Sequence, residues 1–152
     1  MIEDKIKELG YVLPEAPKPL AAYVPALKVD NLVFTSGQLP TESGVLKLKG
    51  KIGAAISEED GVRAAEICAL NCLSVIKSLA GSLDKVEQVV KLTAFVNSAD
   101  YFTGQPKIAN GASELLVKIF GDKGKHARSA VGVSELPLDA PVEIEMIVKL
   151  KD

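Results

Sequence analysis

Val142-Glu143-Ile144-Glu145-Met146-Ile147-Val148-Lys149-Leu150 reads as one strand. Val142, Ile144, Met146, Val148 and Leu150 alternate with Glu143, Glu145, Ile147 and Lys149, the two-residue period of a pleated segment with two unlike faces. Such a strand needs neighbours in a sheet and a layer over its apolar face. Residues 86–96 supply one neighbour, with Leu92, Ala94 and Val96 alternating against Lys91, Thr93 and Phe95. Residues 128–133, within Ala127-Arg128-Ser129-Ala130-Val131-Gly132-Val133, supply another. Residues 23–29 and 32–35, joined by the turn pair Asp30-Asn31, predict a hairpin. A short strand is expected over 45–48, within a loop-like stretch reaching Gly53.

Two long helices are predicted between the strands. Ser57 followed by Glu58, Glu59 and Asp60 is an N-cap with acidic residues in the first turn, which suits the helix dipole. That helix runs to about residue 79, turns Val62, Ala69, Leu73 and Ile76 inward, and ends at Gly81. The second spans about 106–120, with Pro106 in its first turn and Gly121 at its end. A short helix over 2–9 is stopped by Gly10, after which Pro14, Pro17 and Pro19 impose extended chain. The order hairpin, helix, strand, helix, two strands predicts an α+β domain, one sheet with two helices on a single face. Residues 1–152 form one domain, with 1–20 as an N-terminal extension. No further helix remains for the other sheet face, so a second copy of the chain is the expected cover.

Composition narrows the function classes. The chain has 152 residues, 47% hydrophobic and 25% charged, with a net charge of −2. It shows no basic stripe, which argues against nucleic acid as a partner. The opening residues lack the apolar core of a secretory signal and no run is long enough for a bilayer, so no membrane partner and a cytoplasmic location are expected. Cys68 and Cys72 sit four apart on one helix face and read as packed core thiols. With His126 the only histidine, no histidine-rich metal cluster is possible, and His126 reads as a loop residue preceding Arg128.

Arg128 stands out, because only two of the 18 basic residues are arginines. In a small, apolar strand its guanidinium loses hydration and needs a partner. Either a protein carboxylate answers it, or the planar fork is built to grip a small acid from outside. The residues alone leave both open.

Three stretches resemble the Rid proteins, also called the YjgF or L-PSP family. They are Tyr23-Val24 with Asn31-Leu32-Val33-Phe34-Thr35-Ser36-Gly37-Gln38-Leu39-Pro40, then Lys91-Leu92-Thr93-Ala94-Phe95-Val96, then Arg128-Ser129-Ala130-Val131-Gly132-Val133 with Leu136-Pro137 and Val142-Glu143-Ile144-Glu145. The resemblance runs from Tyr23 to nearly the end. It implies a chorismate-mutase-like fold, a homotrimer, and a pocket at each subunit interface. It also implies hydrolysis of 2-imino acids, of the 2-iminobutanoate and 2-iminopropanoate type, to 2-oxo acids and ammonia, with no metal or cofactor. Arg128 matches the family's carboxylate-binding arginine and Glu143 its catalytic acid. Tyr23, Ser36, Gly37, Asn110 and the backbone of Ala130 match its substrate-binding positions. Departures are Ala21-Ala22 for a Gly-Pro, Pro25 for a glutamine, Ala130 for a frequent cysteine, and extra residues before Ser57 and at the N-terminus. A trimer that binds 2-oxo acids or similar metabolites without turnover is the alternative reading; a ribonuclease or translation inhibitor is disfavoured by the charge.

Overall fold

The computed structural model describes residues 1–18 and 22–152. Pro19 and Ala21, which figure in the expected extended segment and in the altered stretch before Tyr23, lie outside those residues. Ile2–Glu8 is α1, Ala26–Val29 β1, Leu32–Thr35 β2, Thr41–Glu42 β3 and Val45–Leu46 β4. Glu58–Ala80 is α2, Val86–Asn97 β5, Gln105–Phe120 α3, Ala127–Val133 β6 and Val142–Leu150 β7. The main sheet runs β1-β2-β7-β5-β6. Its pairings are antiparallel except β5 with β6, where α3 supplies the crossover that parallel neighbours require.

The predicted elements form, with two adjustments. The hairpin strand starts at Ala26 rather than Tyr23, because Pro25 has no N–H to donate to a ladder. Asp30 takes the positive φ of the turn, at 51°. The short strand at 45–46 pairs with Thr41–Glu42 through Ser43 and Gly44, both at positive φ, and so makes a small second sheet.

The alternation of β5 and β7 divides the molecule. Leu92, Ala94 and Val96 of β5 and Ile144, Met146 and Val148 of β7 are buried beneath α2 and α3. Ala65, Cys68, Ala69, Cys72, Leu73 and Ile76 of α2 meet them at helical spacing, while Val62 stays half-buried at the rim. Both thiols donate to β7 carbonyls, Cys68 to Val142 at 3.6 Å and Cys72 to Ile144 at 3.4 Å. Burial pushes both thiols up, Cys72 to about 12, so neither offers a thiolate nucleophile. The N-terminal segment packs onto this body. Ile6 is fully buried, Ile2 N donates to Asp84 Oδ1 at 2.8 Å, and Glu3 Oε1 accepts from Leu83 N at 3.1 Å.

Helices α2 and α3 touch at Gly111, where a Cβ would lie 2.2 Å from the Val62 carbonyl oxygen. Elsewhere in a helix alanine is favoured over glycine by about 1 kcal/mol. Here the clash reverses that preference, so Gly111→Ala is expected to lower unfolding free energy by about 2 kcal/mol. Chemical denaturation checks this, and a variant as stable as the parent would contradict the packing described.

Candidate functional site

Strand β6 lies at a sheet edge, and its register with β5 sets Arg128 beside Leu92 and Ala130 beside Ala94. Paired residues share a face, so both point toward the helices. Ala130 packs its methyl against the core. Arg128 is half-buried and reaches α3, where Nη1 donates to Asn110 Oδ1 at 2.8 Å and to Ser113 Oγ at 3.2 Å. Asn110 and Ser113 stand three apart on one helix face, which lets both receive the same nitrogen. Those two bonds use both protons of Nη1. The edge formed by Nε and Nη2 makes no hydrogen bond among the described residues, and no ion pair among them involves Arg128. Of the two partners left open by the sequence, a protein carboxylate is therefore not the one used among the described residues.

Glu143 pairs with Phe95 across β7 and β5, one residue out of phase with the Leu92 and Ala94 rows. It points to the sheet face away from the helices. Burial, and secondarily the neighbouring Glu145 carboxylate, raises its pKa above the ordinary glutamate value. Gly37 lies against it, since a Cβ on Gly37 would come within 2.6 Å of Glu143 Oε2. The segment holding Gly37 is strapped to β7 by Gln38 N to Ile144 O at 2.8 Å and Ile144 N to Gln38 O at 3.0 Å. Ser36 Oγ donates to Val24 O at 2.7 Å, tying the stretch around Tyr23 to the same place. Tyr23 is 66% exposed and lines, with Gly37 and Gln38, a cavity of about 230 Å³.

The expected site residues thus gather into two groups. Arg128, Asn110 and Ala130 lie on the helix side of the β6 edge. Glu143, Gly37, Ser36 and Tyr23 lie on or beside the bare face. A sheet separates Arg128 from Glu143, so one chain does not bring them together. The bare face also carries Leu27, Val29, Phe34 and Val131, each an apolar side chain left at least 39% exposed. A larger cleft, about 450 Å³, lies between residues 10–14, the β3–β4 turn and α2. Its charged groups are answered locally, Arg63 by Asp60 at 3.1 Å and Glu66 by the Tyr11 hydroxyl at 3.0 Å. Sequence reasoning missed Ser113, whose only signal was its position three residues after Asn110; it placed His126 correctly in the loop before β6 but not its contact. His126 Nε2 in fact lies 2.8 Å from Ser113 Oγ.

Residues 3–150 match a family model described as "YjgF/chorismate_mutase-like, putative endoribonuclease". Protein TCP17 of Trypanosoma cruzi is 41% identical over 148 residues, covering 97% of this chain and 92% of its own. The crystal structure of Atu1372 from Agrobacterium tumefaciens, a protein described there as of unknown function, superposes with a TM-score of 0.93 at 44% identity, over 99% of this chain and 92% of that one. The 2-iminobutanoate/2-iminopropanoate deaminase of Dermatophagoides farinae is 31% identical over 138 residues, 91% of this chain and 93% of its own. The chain belongs to the YjgF/chorismate-mutase-like family.

Glu143 has a stability consequence with a defined sign. A carboxyl whose pKa is raised in the folded state favours its protonated form there, so stability falls as pH rises from the ordinary glutamate range through the raised value. Glu143→Gln removes that titration. The variant is expected to match the parent in acid and to exceed its melting temperature increasingly as pH rises toward neutrality. Equal pH dependence of the two melting curves would contradict the burial of this carboxylate.

Proposed function

We propose that this chain hydrolyses 2-imino acids, of the 2-iminobutanoate and 2-iminopropanoate class, to 2-oxo acids and ammonia in a pocket shared between copies of itself. The observation that carries the reading is the guanidinium of Arg128. It is half-buried, steadied by two neutral acceptors, and without a carboxylate partner among the described residues. Its Nε–Nη2 edge is shaped to hold a substrate carboxylate bidentately, through charge-assisted bonds each worth about 1.5–3 kcal/mol. The 31% identity to the Dermatophagoides farinae deaminase supports the same chemistry.

Holding the carboxylate fixes the imine carbon, and fixing it contributes to the rate by orientation. Glu143 removes a proton from the attacking water as oxygen bonds to that carbon. The C=N π bond opens onto nitrogen as this happens. The tetrahedral carbinolamine then collapses, its O–H becoming the C=O of the oxo acid as the C–N bond breaks. Both protons of the water leave on the ammonia, one of them by way of Glu143. Burial raises the pKa of this carboxyl, which makes it a stronger base toward water than an ordinary glutamate, and the proton it takes up is the one it returns. Gly37, with no side chain to crowd Oε2, leaves room beside it, and Tyr23 borders the space where the substrate's side chain would lie.

Since Arg128 and Glu143 face opposite sides of one sheet, a pocket using both takes them from different copies. The bare face, with Leu27, Phe34 and Val131 exposed, is the surface a second copy would cover. The family resemblance implies three copies. A ribonuclease reading, carried by the family's description, finds little support in a chain of net charge −2.

Arg128→Lys keeps the charge and loses the fork. Imine hydrolysis, followed as oxo-acid release from a dehydratase-coupled assay, is expected to fall by roughly two orders of magnitude. Melting temperature and sedimentation should stay those of the parent. Full activity in Arg128→Lys would overturn the carboxylate clamp.

A further inference from the structure

Arg128 is the end of a chain of hydrogen bonds that begins outside the pocket residues. His126 Nδ1 lies 2.6 Å from the Gly124 carbonyl oxygen, and its Nε2 lies 2.8 Å from Ser113 Oγ. Ser113 Oγ in turn is 3.2 Å from Arg128 Nη1. The directions follow from which groups own protons. A carbonyl only accepts, so Nδ1 carries hydrogen. A guanidinium only donates, so the Ser113 oxygen accepts from Arg128. The Ser113 hydroxyl proton is then available to Nε2, and the Nδ1-protonated tautomer, whose Nε2 is bare, is the one that uses it. An imidazolium would instead press a proton onto the same oxygen and set a second cation one hydroxyl away from the guanidinium.

The local backbone is arranged for this chain. A Cβ on Gly124 would sit 2.3 Å from the Leu116 carbonyl oxygen, so only glycine lets this turn lie against α3 with its carbonyl in reach of Nδ1. Ser113 and Asn110 then meet the same Nη1 from one helix face. With both Nη1 protons engaged, the guanidinium plane is fixed and the Nε–Nη2 edge faces away from α3.

We infer that His126 is a positioning residue for Arg128: in its neutral, Nδ1-protonated form it acts through the Ser113 hydroxyl to hold the guanidinium in the orientation that receives a carboxylate. The inference rests on the reading of Arg128 as the carboxylate clamp. It assigns Ser113 and His126 a role that no ligand contact would disclose.

The protein suits a direct test, because it has one histidine and two arginines. Nitrogen-15 NMR of the imidazole, recorded under the conditions of the activity assay, should show Nδ1 protonated and Nε2 bare. The Arg128 guanidinium should rotate more slowly than that of Arg63, whose side chain is 70% exposed. Ser113→Ala and His126→Phe should each free the Arg128 guanidinium. Each should also raise both KM for imino acid and Kd for 2-oxobutanoate roughly three- to tenfold with kcat little changed. The double variant should be no worse than the weaker single one, because the two side chains act in series. Ser113→Ala preserves the shape of the site should the larger His126→Phe change disturb folding. Protonation at Nε2, an Arg128 as mobile as Arg63, or unchanged KM and Kd in both variants would overturn the inference. Wild-type protein that neither binds the oxo acid nor turns over imine would refute the deaminase reading instead, and the two spectroscopic readouts would still decide the relay.

Discussion

The alternation of β5 is the constraint on which the rest depends. Leu92, Ala94 and Val96 face α2 and α3, while Lys91, Thr93 and Phe95 face the opposite way. Every residue paired with β5 inherits that division. Arg128 takes the phase of Leu92 and Glu143 that of Phe95, so the cation and the acid stand on opposite sides of one sheet. The core, the bare apolar face and the separation of the two chemical groups are one geometric fact seen in three places. Under the proposed function, a monomer built this way would hold half of the site on each face.

The energetics of Arg128 point in the same direction. An internal ion pair would have compensated its lost hydration and made it part of the fold. The structure instead gives it an amide oxygen and a hydroxyl, which orient the group without neutralising it. Its charge remains available to an anion at the β6 edge. Glu143 is the complement: half-buried, beside Glu145, and with Gly37 pressed close, it is a carboxyl held in conditions that favour keeping a proton. A guanidinium without a carboxylate partner among the described residues and a carboxyl with a raised pKa are the two groups that the proposed anionic, electrophilic substrate would meet.

Much of the fold was legible because burial imposes period two on β5 and β7 and period 3.6 on α2, and because Ser57, Gly81 and Gly121 mark helix ends. The start of β1 was misplaced where an apolar run outweighed Pro25, whose missing N–H decides the matter. The β3–β4 hairpin was half seen, since strands of two residues carry no periodicity and only Ser43-Gly44 signals the turn. Family motifs pointed to Arg128, Glu143, Gly37 and Asn110. They did not reveal that Arg128 and Glu143 lie on opposite faces, because that depends on the register of β5 with two strands distant in sequence. The contact of Ser113 with His126 was invisible for a related reason. It joins a helix to a loop packed through Gly124, and neither residue stands in a pattern that marks it.

The central claim is that the pocket is completed by two copies, and mixing tests it most directly. Arg128→Lys and Glu143→Gln chains, each inactive alone, are unfolded together and reassembled in equal amounts, then assayed for imine hydrolysis. Random assembly of a cyclic oligomer gives an interface an intact Arg128 from one copy and an intact Glu143 from its neighbour about one time in four, so roughly a quarter of parental activity should return. Mixed assemblies that form and remain as inactive as either variant would show that Arg128 and Glu143 do not serve a shared site.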